Sequence, residues 1–212
     1  MSYEKNILVL APHTDDAELG CGGSIARYIT EGANVFVIVF SSARQSVPQG
    51  YESNQIELEF LNSMKVMGIP SENIINYDFP VRELNFHRQD ILQSLIEFRR
   101  KVTPDIVFVP SSQDIHQDHQ VVQIEGLRAF KNTTVLGYEL PWNQISFSAQ
   151  YFLSIEKEQL DMKWRCLKEY KTQLELERPY FTQEFIYGLS KVRGTQIGVD
   201  YAEAFEVFRV IN

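Results

Sequence analysis

Two nearly unbroken apolar runs, Asn6–Ala11 (NILVLA) and Asn34–Phe40 (NVFVIVF), stand on either side of a stretch with helical spacing. This arrangement constrains the fold more than any other feature of the chain. A strand that is apolar on both faces must be covered on both faces. Two such strands joined through a helix form a crossover unit of a parallel sheet. The pattern continues with shorter runs at Ile74–Tyr77 and Asp105–Val109, and a fifth at Thr134–Tyr138. Helices are expected between them, over Ala17–Ile29, Ser53–Met67 and His87–Val102. Gly32, Gly68 and Pro104 supply the stops. The expected fold class is therefore α/β: a mostly parallel, Rossmann-like sheet with helices on both faces. The last third differs, with a charged amphipathic helix expected over Glu156–Leu174 and an alternating late strand over Ala202–Val210. No repeat, low-complexity tract or linker interrupts the 212 residues, so one domain spanning residues 1–212 is expected.

Open α/β sheets bind ligands beyond the carboxyl ends of their strands. The first strand runs directly into APHTDDAELGCGG, residues 11–23, and the fourth into SSQDIHQDHQ, residues 111–120. These two segments hold three of the four histidines, His13, His116 and His119, together with Asp15, Asp16, Asp114 and Asp118. Adjacent carboxylates repel each other, and a divalent cation offsets that cost. His13 and Asp16, three residues apart, can reach one ion from a tight turn, and His119 can close the set from the neighbouring loop. Two imidazoles and a carboxylate suit Zn2+, with Fe2+ accepted by the same donors, and leave a position open for water. A second aspartate would then be free to take the proton of that water. Spacing alone does not decide which of Asp15 and Asp16 does which. The glycines Gly20, Gly22 and Gly23 do not fit a dinucleotide fingerprint, and close packing of the first helix is expected of them.

At the level of motifs, PHTDDAELGCGG resembles the P-H-P-D-D-x-E-x-G-x-G-G signature of the PIG-L/LmbE-like family of zinc-dependent N-acetylglucosaminyl deacetylases. DIHQDH is similar to that family's H-x-D-H motif, EYKTQ to its Y-x-S-Q segment, and RGTQIGVDYAEAFEV to its closing stretch. The likeness runs from about Lys5 to Val207. It implies an LmbE-like fold and a metal-dependent hydrolase of carbohydrate metabolism that removes the N-acetyl group from an N-acetylglucosamine-type conjugate. By the same resemblance His13, Asp16 and His119 are the metal ligands and Asp15 is the general base. His116 stabilises the oxyanion in its charged form, and Asp118 orients the neighbouring histidine and raises its pKa. Three positions depart from the pattern. Thr14 stands where the family has proline, Ile56 near its sugar-holding arginine, and Val81 at an aspartate. Arg44 and Arg82 are candidate replacements. Tyr138, Glu139, Trp142 and Asn143 in GYELPWNQ are further candidates for lining a sugar site.

A net charge of -8 argues against nucleic acid and anionic membranes as partners and leaves a small-molecule amino-sugar conjugate as the expected one. Two cysteines, Cys21 and Cys166, fit a reducing compartment. The short apolar N-terminal run is neither signal peptide nor spanning segment, so a cytoplasmic protein without membrane insertion is expected. A homo-oligomer that shares an apolar sheet edge is compatible with the pattern. Two other readings fit the same residues: a different metal-dependent amide or ester hydrolase, and a catalytically silent sugar-binding module of the same fold.

Overall fold

A computed structural model of the chain describes residues 5–211. Its centre is one seven-stranded sheet in the order β3-β2-β1-β4-β5-β7-β6. Strands β1 (Asn6–His13), β2 (Asn34–Ser41), β3 (Ile74–Asn76), β4 (Ile106–Pro110) and β5 (Thr134–Tyr138) run parallel. The long late strand β7 (Tyr201–Arg209) pairs antiparallel with β5 and with β6 (Tyr151–Ile155), which forms the edge.

The apolar runs are two-sided for the reason expected. Alternate residues of β1 enter opposite cores: Ile7, Val9 and Ala11 on one face, Leu8 and Leu10 on the other, all fully buried. Each of these isoleucine, valine and leucine side chains contributes about 1.5–3 kcal/mol through burial. Helix α1 (Asp16–Thr30), α2 (Gln55–Met67) and α5 (Lys157–Leu167) cover the first face. On α2, Ile56, Phe60, Met64 and Met67 are buried at the spacing read from the sequence. Helix α3 (Arg88–Lys101) covers the second face through Ile91, Leu95 and Phe98, together with α4 (Gln117–Ala129).

Three elements differ from the expected pattern. The segment after β4 does not stay a loop but becomes α4. The expected single helix Glu156–Leu174 breaks into α5 and the short α6 (Lys171–Leu174) around Tyr170. Helix α7 (Gln183–Ile197) precedes β7.

Close packing is the role of the α1 glycines. A Cβ on Gly20 would overlap the Tyr138 ring, one on Gly22 would crowd Lys163, and one on Gly23 would strike Ile155. Helix α1 leaves helical geometry at Cys21, and the Gly23 and Ser24 amides past that break donate to the buried Glu203 carboxylate at 3.0 and 2.7 Å. Lys163 completes that carboxylate's shell at 2.7 Å. The sheet order changes direction between β1 and β4: from β1 the chain steps outward through β2 and β3, then returns to β4 and β5 on the other side. The crevice at such a switch point is where the strand ends leave room for a ligand.

Candidate metal centre

The C-terminal ends of β1 and β4 deliver the two motifs into this crevice. His13 is the last residue of β1. Its amide donates to Asp16 Oδ2 at 2.9 Å and closes a tight turn that opens α1. Thr14 is buried, and its carbonyl accepts the Tyr170 hydroxyl at 2.5 Å, so the loop is held from outside at the position where a proline would have stiffened it. On the other side, Asp114 Oδ1 accepts the His116 amide at 2.9 Å, and His116 caps α4, its ring Nδ1 accepting the Asp118 amide at 3.2 Å.

Three donor atoms converge. His13 Nδ1 lies 3.3 Å from Asp16 Oδ2, His119 Nε2 lies 3.3 Å from the same oxygen, and the two ring nitrogens lie 3.3 Å apart. Tetrahedral ligands held about 2.0–2.1 Å from a zinc ion are separated by roughly 3.3–3.4 Å, so this triangle has the edge that such an ion requires. The remaining ring nitrogens are also committed. His13 Nε2 lies 3.0 Å from Asp118 Oδ2, and His119 Nδ1 lies 2.7 Å from Asp114 Oδ2. A carboxylate behind each imidazole fixes the ring's orientation and, once the ring gives up a proton, leaves its lone pair aimed at the triangle, the arrangement found behind metal-bound histidines. The donor set fits a divalent cation. His116 also has a ring nitrogen within 4.8 Å of those of His13 and His119. The 3.3 Å spacing of Asp16 is the closer match to a bonded set.

Electrostatics separate the groups. Burial disfavours a charge on His13, but the Asp118 and Asp16 carboxylates outweigh it and raise its pKa to about 8. At His119 burial is again overcome, by Asp16 and Asp114, and its pKa rises to about 10. Burial works against the Asp16 carboxylate, but the His119 and His13 charges hold it well below the usual carboxylate range. Asp15 is pushed up to about 6 by burial and the neighbouring Asp16 charge. Its side chain makes no cap bond to α1, and it faces a cavity of about 200 Å³ that His116 also lines.

Several expectations need correction. In the cation-free protein burial, and then the His119 and His13 charges, lower the pKa of His116 to about 4, against the charged form expected of it. Its Nδ1 already accepts an amide, so the neutral ring carries its proton on Nε2. Asp118 turns to His13 instead of to His116, and also accepts the Arg82 and Leu84 amides at 2.6 and 3.2 Å. Arg44 is bound by Glu57 and Asp78 outside the cavity. Tyr138 is core, its hydroxyl donating to the Leu10 carbonyl at 3.0 Å. Glu139 is buried against Arg193. Trp142 stacks on Tyr180 with ring centroids 3.9 Å apart. Asn143 contributes its backbone carbonyl to the Ile115 amide. Among the candidate sugar-site residues only Arg82 lines the cavity, beside Ile56 and Val81, two of the departures from the motif pattern. Two participants carry no role in the sequence reading. Asp114 stands there as one more acidic residue of the loop, although an Asp two residues before a histidine can cap the turn that presents it. Arg178 also lines the cavity, and an arginine in a polar segment gives no signal of its own.

The chain is similar to proteins named as deacetylases. The family described as PIG-L, GlcNAc-PI de-N-acetylase, matches residues 8–130, more than half of the chain. An Escherichia coli K12 protein named as the uncharacterized deacetylase YaiS is 28% identical over 174 residues, 79% of this chain and 91% of that one. The diacetylchitobiose deacetylase of Thermococcus kodakarensis is 24% identical over 226 residues, 94% of this chain and 81% of that one. Among solved structures, the 4-carboxy-2-hydroxymuconate hydratase GalB of Pseudomonas putida KT2440 superposes with a TM-score of 0.79 at 20% identity and 98% coverage of both chains. A protein named as a hydratase thus shares the fold of the deacetylases, and fold alone does not choose the reaction.

Proposed function

Because the chain belongs to the GlcNAc-PI de-N-acetylase family, PIG-L, we propose that it is a hydrolase that removes the acetyl group from an N-acetylated amino-sugar conjugate. In this reading a single divalent cation, Zn2+ or Fe2+, is held by His13, Asp16 and His119. The observation that carries it is the 3.3 Å triangle of those donors beside the Asp15 carboxylate, which lines the cavity. When bound, such a cation lowers the pKa of a water it holds to about 7 and polarises a carbonyl oxygen.

The residues of the chain do the rest. The acetamide enters the cavity with its carbonyl carbon facing Asp15. Asp15 accepts a proton from the attacking water, a task suited to a carboxylate whose pKa sits near 6 and below the working pH. His116 donates its Nε2–H to the carbonyl oxygen as negative charge develops there. A preorganised donor of this kind contributes about 2.7–4 kcal/mol to the transition state, and the ring gives it while neutral. Asp15 then returns its proton to the sugar nitrogen, the C–N bond breaks, and acetate and a free amine leave. Asp114 and Asp118 keep the two ligating imidazoles in the required tautomer and orientation. The cation is filled from the cell interior in this reading, where Cys21 and Cys166, both free and buried, stay reduced. Among the described residues no helix is long and apolar enough to cross a membrane.

The test is acetate release from N-acetylglucosamine conjugates by protein loaded with Zn2+ or Fe2+, repeated after chelation and with Asp15→Asn. Release that stops on chelation, and falls by about 10²-fold or more in the variant with the cation retained, supports the proposal. Release that survives chelation, or an Asp15→Asn variant that loses the cation and not merely the turnover, contradicts it.

A further inference from the structure

Three charged side chains of the closing motif, RGTQIGVDYAEAFEV, reach the segments that carry the chemistry. Glu203 accepts the Gly23 and Ser24 amides of α1. Glu206 accepts the Ser112 amide and hydroxyl at 2.7 and 2.6 Å. Arg193, near the end of α7, forks onto Glu139, the residue that follows β5. Its Nε donates to Oε2 at 2.9 Å and its Nη2 to Oε1. The pair is largely buried, with 14% and 8% of the two side chains exposed. The same guanidinium lies 5.4 Å from the centre of the Phe147 ring, so it clamps both ends of the segment 139–147. A Cβ on Gly194, the next residue, would stand 2.7 Å from the Val199 carbonyl oxygen, and this end of α7 is therefore seated directly on the turn into β7. The middle of 139–147 holds the loop that ends in His116. The Asn143 carbonyl accepts the Ile115 amide at 3.0 Å, the Gln144 side-chain amide donates to the Ser111 hydroxyl at 2.7 Å, and the Ser146 hydroxyl donates to Gln113 Oε1 at 3.3 Å. The Ile115 side chain is 67% exposed, so its backbone bond and not its packing fixes this residue. Glu206 secures the β4 end of the loop, and Asn143 secures the end beside His116.

We propose that Arg193 is a positioning residue for the oxyanion donor. By clamping 139–147 it fixes the Asn143 carbonyl, and through the Ile115 amide it sets where His116 presents its Nε2–H. A guanidinium fork on a carboxylate is directional as well as charged, which suits it to fixing a turn. Placement matters because a preorganised donor stabilises developing charge only where it already stands in the right position, and a misplacement of about 1 Å costs up to about 10²-fold in rate. Arg193 touches neither substrate nor cation and acts through His116. The cation donors lie outside the clamp: His13 and Asp16 come from β1 and the start of α1, and His119 is buried within α4. The assignment rests on the deacetylase reading for the task of His116, but not for the anchoring of its loop.

The test joins kinetics to amide exchange in Arg193→Gln and Arg193→Lys, with thermal melts to establish that each is folded. Arg193→Gln leaves Glu139 buried without its ion pair; if it does not fold, Arg193→Lys, which keeps a charge facing that carboxylate but loses the fork, carries both readouts. In acetate release from diacetylchitobiose and other N-acetylglucosamine conjugates by Zn2+-loaded protein, Arg193→Gln is expected to lower kcat about tenfold or more with KM within about twofold, and Arg193→Lys to recover part of the loss. In a His116→Ala background the same substitution should change kcat by less than about twofold, because a residue that acts through His116 has nothing left to position. A merely structural role would lower kcat by the same factor in both backgrounds. Hydrogen exchange followed by NMR should show the Ile115 amide exchanging about tenfold or more faster in Arg193→Gln, while the His13 amide, held by Asp16, stays within about twofold. Equal kcat losses in the two backgrounds, a rise in KM at constant kcat, or Ile115 exchange unmoved in the folded variants overturns the proposal. If the unaltered protein releases no acetate from any conjugate, the deacetylase reading fails, and Ile115 exchange alone decides whether Arg193 anchors the loop.

Discussion

Binding of a divalent cation to this centre must expel about two protons. In the cation-free protein His13 titrates at about 8 and His119 at about 10, so near pH 7 both rings are protonated. Their two positive charges sit among three carboxylates, Asp16, Asp114 and Asp118. A doubly charged ion that coordinates His13 Nδ1 and His119 Nε2 replaces two protons with two charges and leaves the local balance unchanged. Metal ligands must be deprotonated to bind, so affinity depends on pH in proportion to the protons released. Below pH 8 the apparent affinity should rise about 100-fold per pH unit, and between pH 8 and 10 about tenfold. Titration calorimetry with Zn2+ at about pH 6.5, in buffers of different ionisation enthalpy, counts the protons directly. About two are expected from the rings, and up to about one more from Asp15 and the bound water together. Asp118→Asn removes the partner that most raises His13 and should lower the count. Release of fewer than one proton per ion would refute the reasoning, because it would mean that the imidazoles are neutral in the free protein. The same shifts act on stability. Both histidines are raised above their unfolded value of 6.5, so the stability they add to the cation-free protein is complete below that pH. It is lost as pH rises through about 8 and then about 10.

The carboxylates behind the ligands give a second expectation: Asp114→Asn should weaken cation affinity by about 10–100-fold, measured by competition with a chromogenic chelator, and an unchanged affinity would make Asp114 a loop cap only. Gly20→Ala places a methyl group in the Tyr138 ring and should cost about 1–3 kcal/mol in urea unfolding; a loss below about 0.5 kcal/mol would show that the α1–β5 contact yields easily. Glu18 is buried against Ser63 and Tyr170, and burial raises it to about 7. Its contribution is complete below pH 4.5 and is lost as pH rises through about 7, so Glu18→Gln should gain stability over the unaltered protein between about pH 5 and 8 by roughly 3 kcal/mol; parallel stability profiles would show that Glu18 is charged throughout.

The sheet is legible in the sequence because its strands are apolar on both faces, a pattern that neither a surface strand nor an amphipathic helix produces. The ligands are legible because histidine and aspartate pairs fall at the ends of strands that have to be neighbours. What escapes is what depends on tertiary context. Edge strand β6 is YFLSI, too short to stand out beside polar SFSAQ. Helix α7 buries only Ile186, Ser190 and Gly194, too narrow a stripe to announce itself. The 156–174 helix breaks because Tyr170 turns its hydroxyl to the Thr14 carbonyl, a contact made 156 residues away in sequence. Tyr138 and Trp142 follow a strand end just as pocket residues do, and only packing shows that one fills the space above Gly20 and the other lies on Tyr180. The direction of Asp118 is hidden for a similar reason. Neighbours in sequence share a helix start, but the carboxylate reaches across the sheet to His13.

The central claim is that His13, Asp16 and His119 hold one cation with Asp15 left free. It is tested most directly by diffraction with anomalous scattering from crystals of the Zn2+-supplemented protein. One ion should stand about 2.0–2.2 Å from His13 Nδ1, His119 Nε2 and an Asp16 oxygen, with the Asp15 carboxylate uncoordinated beside it. An empty triangle, or an ion bound to Asp15 in place of Asp16, would contradict the account.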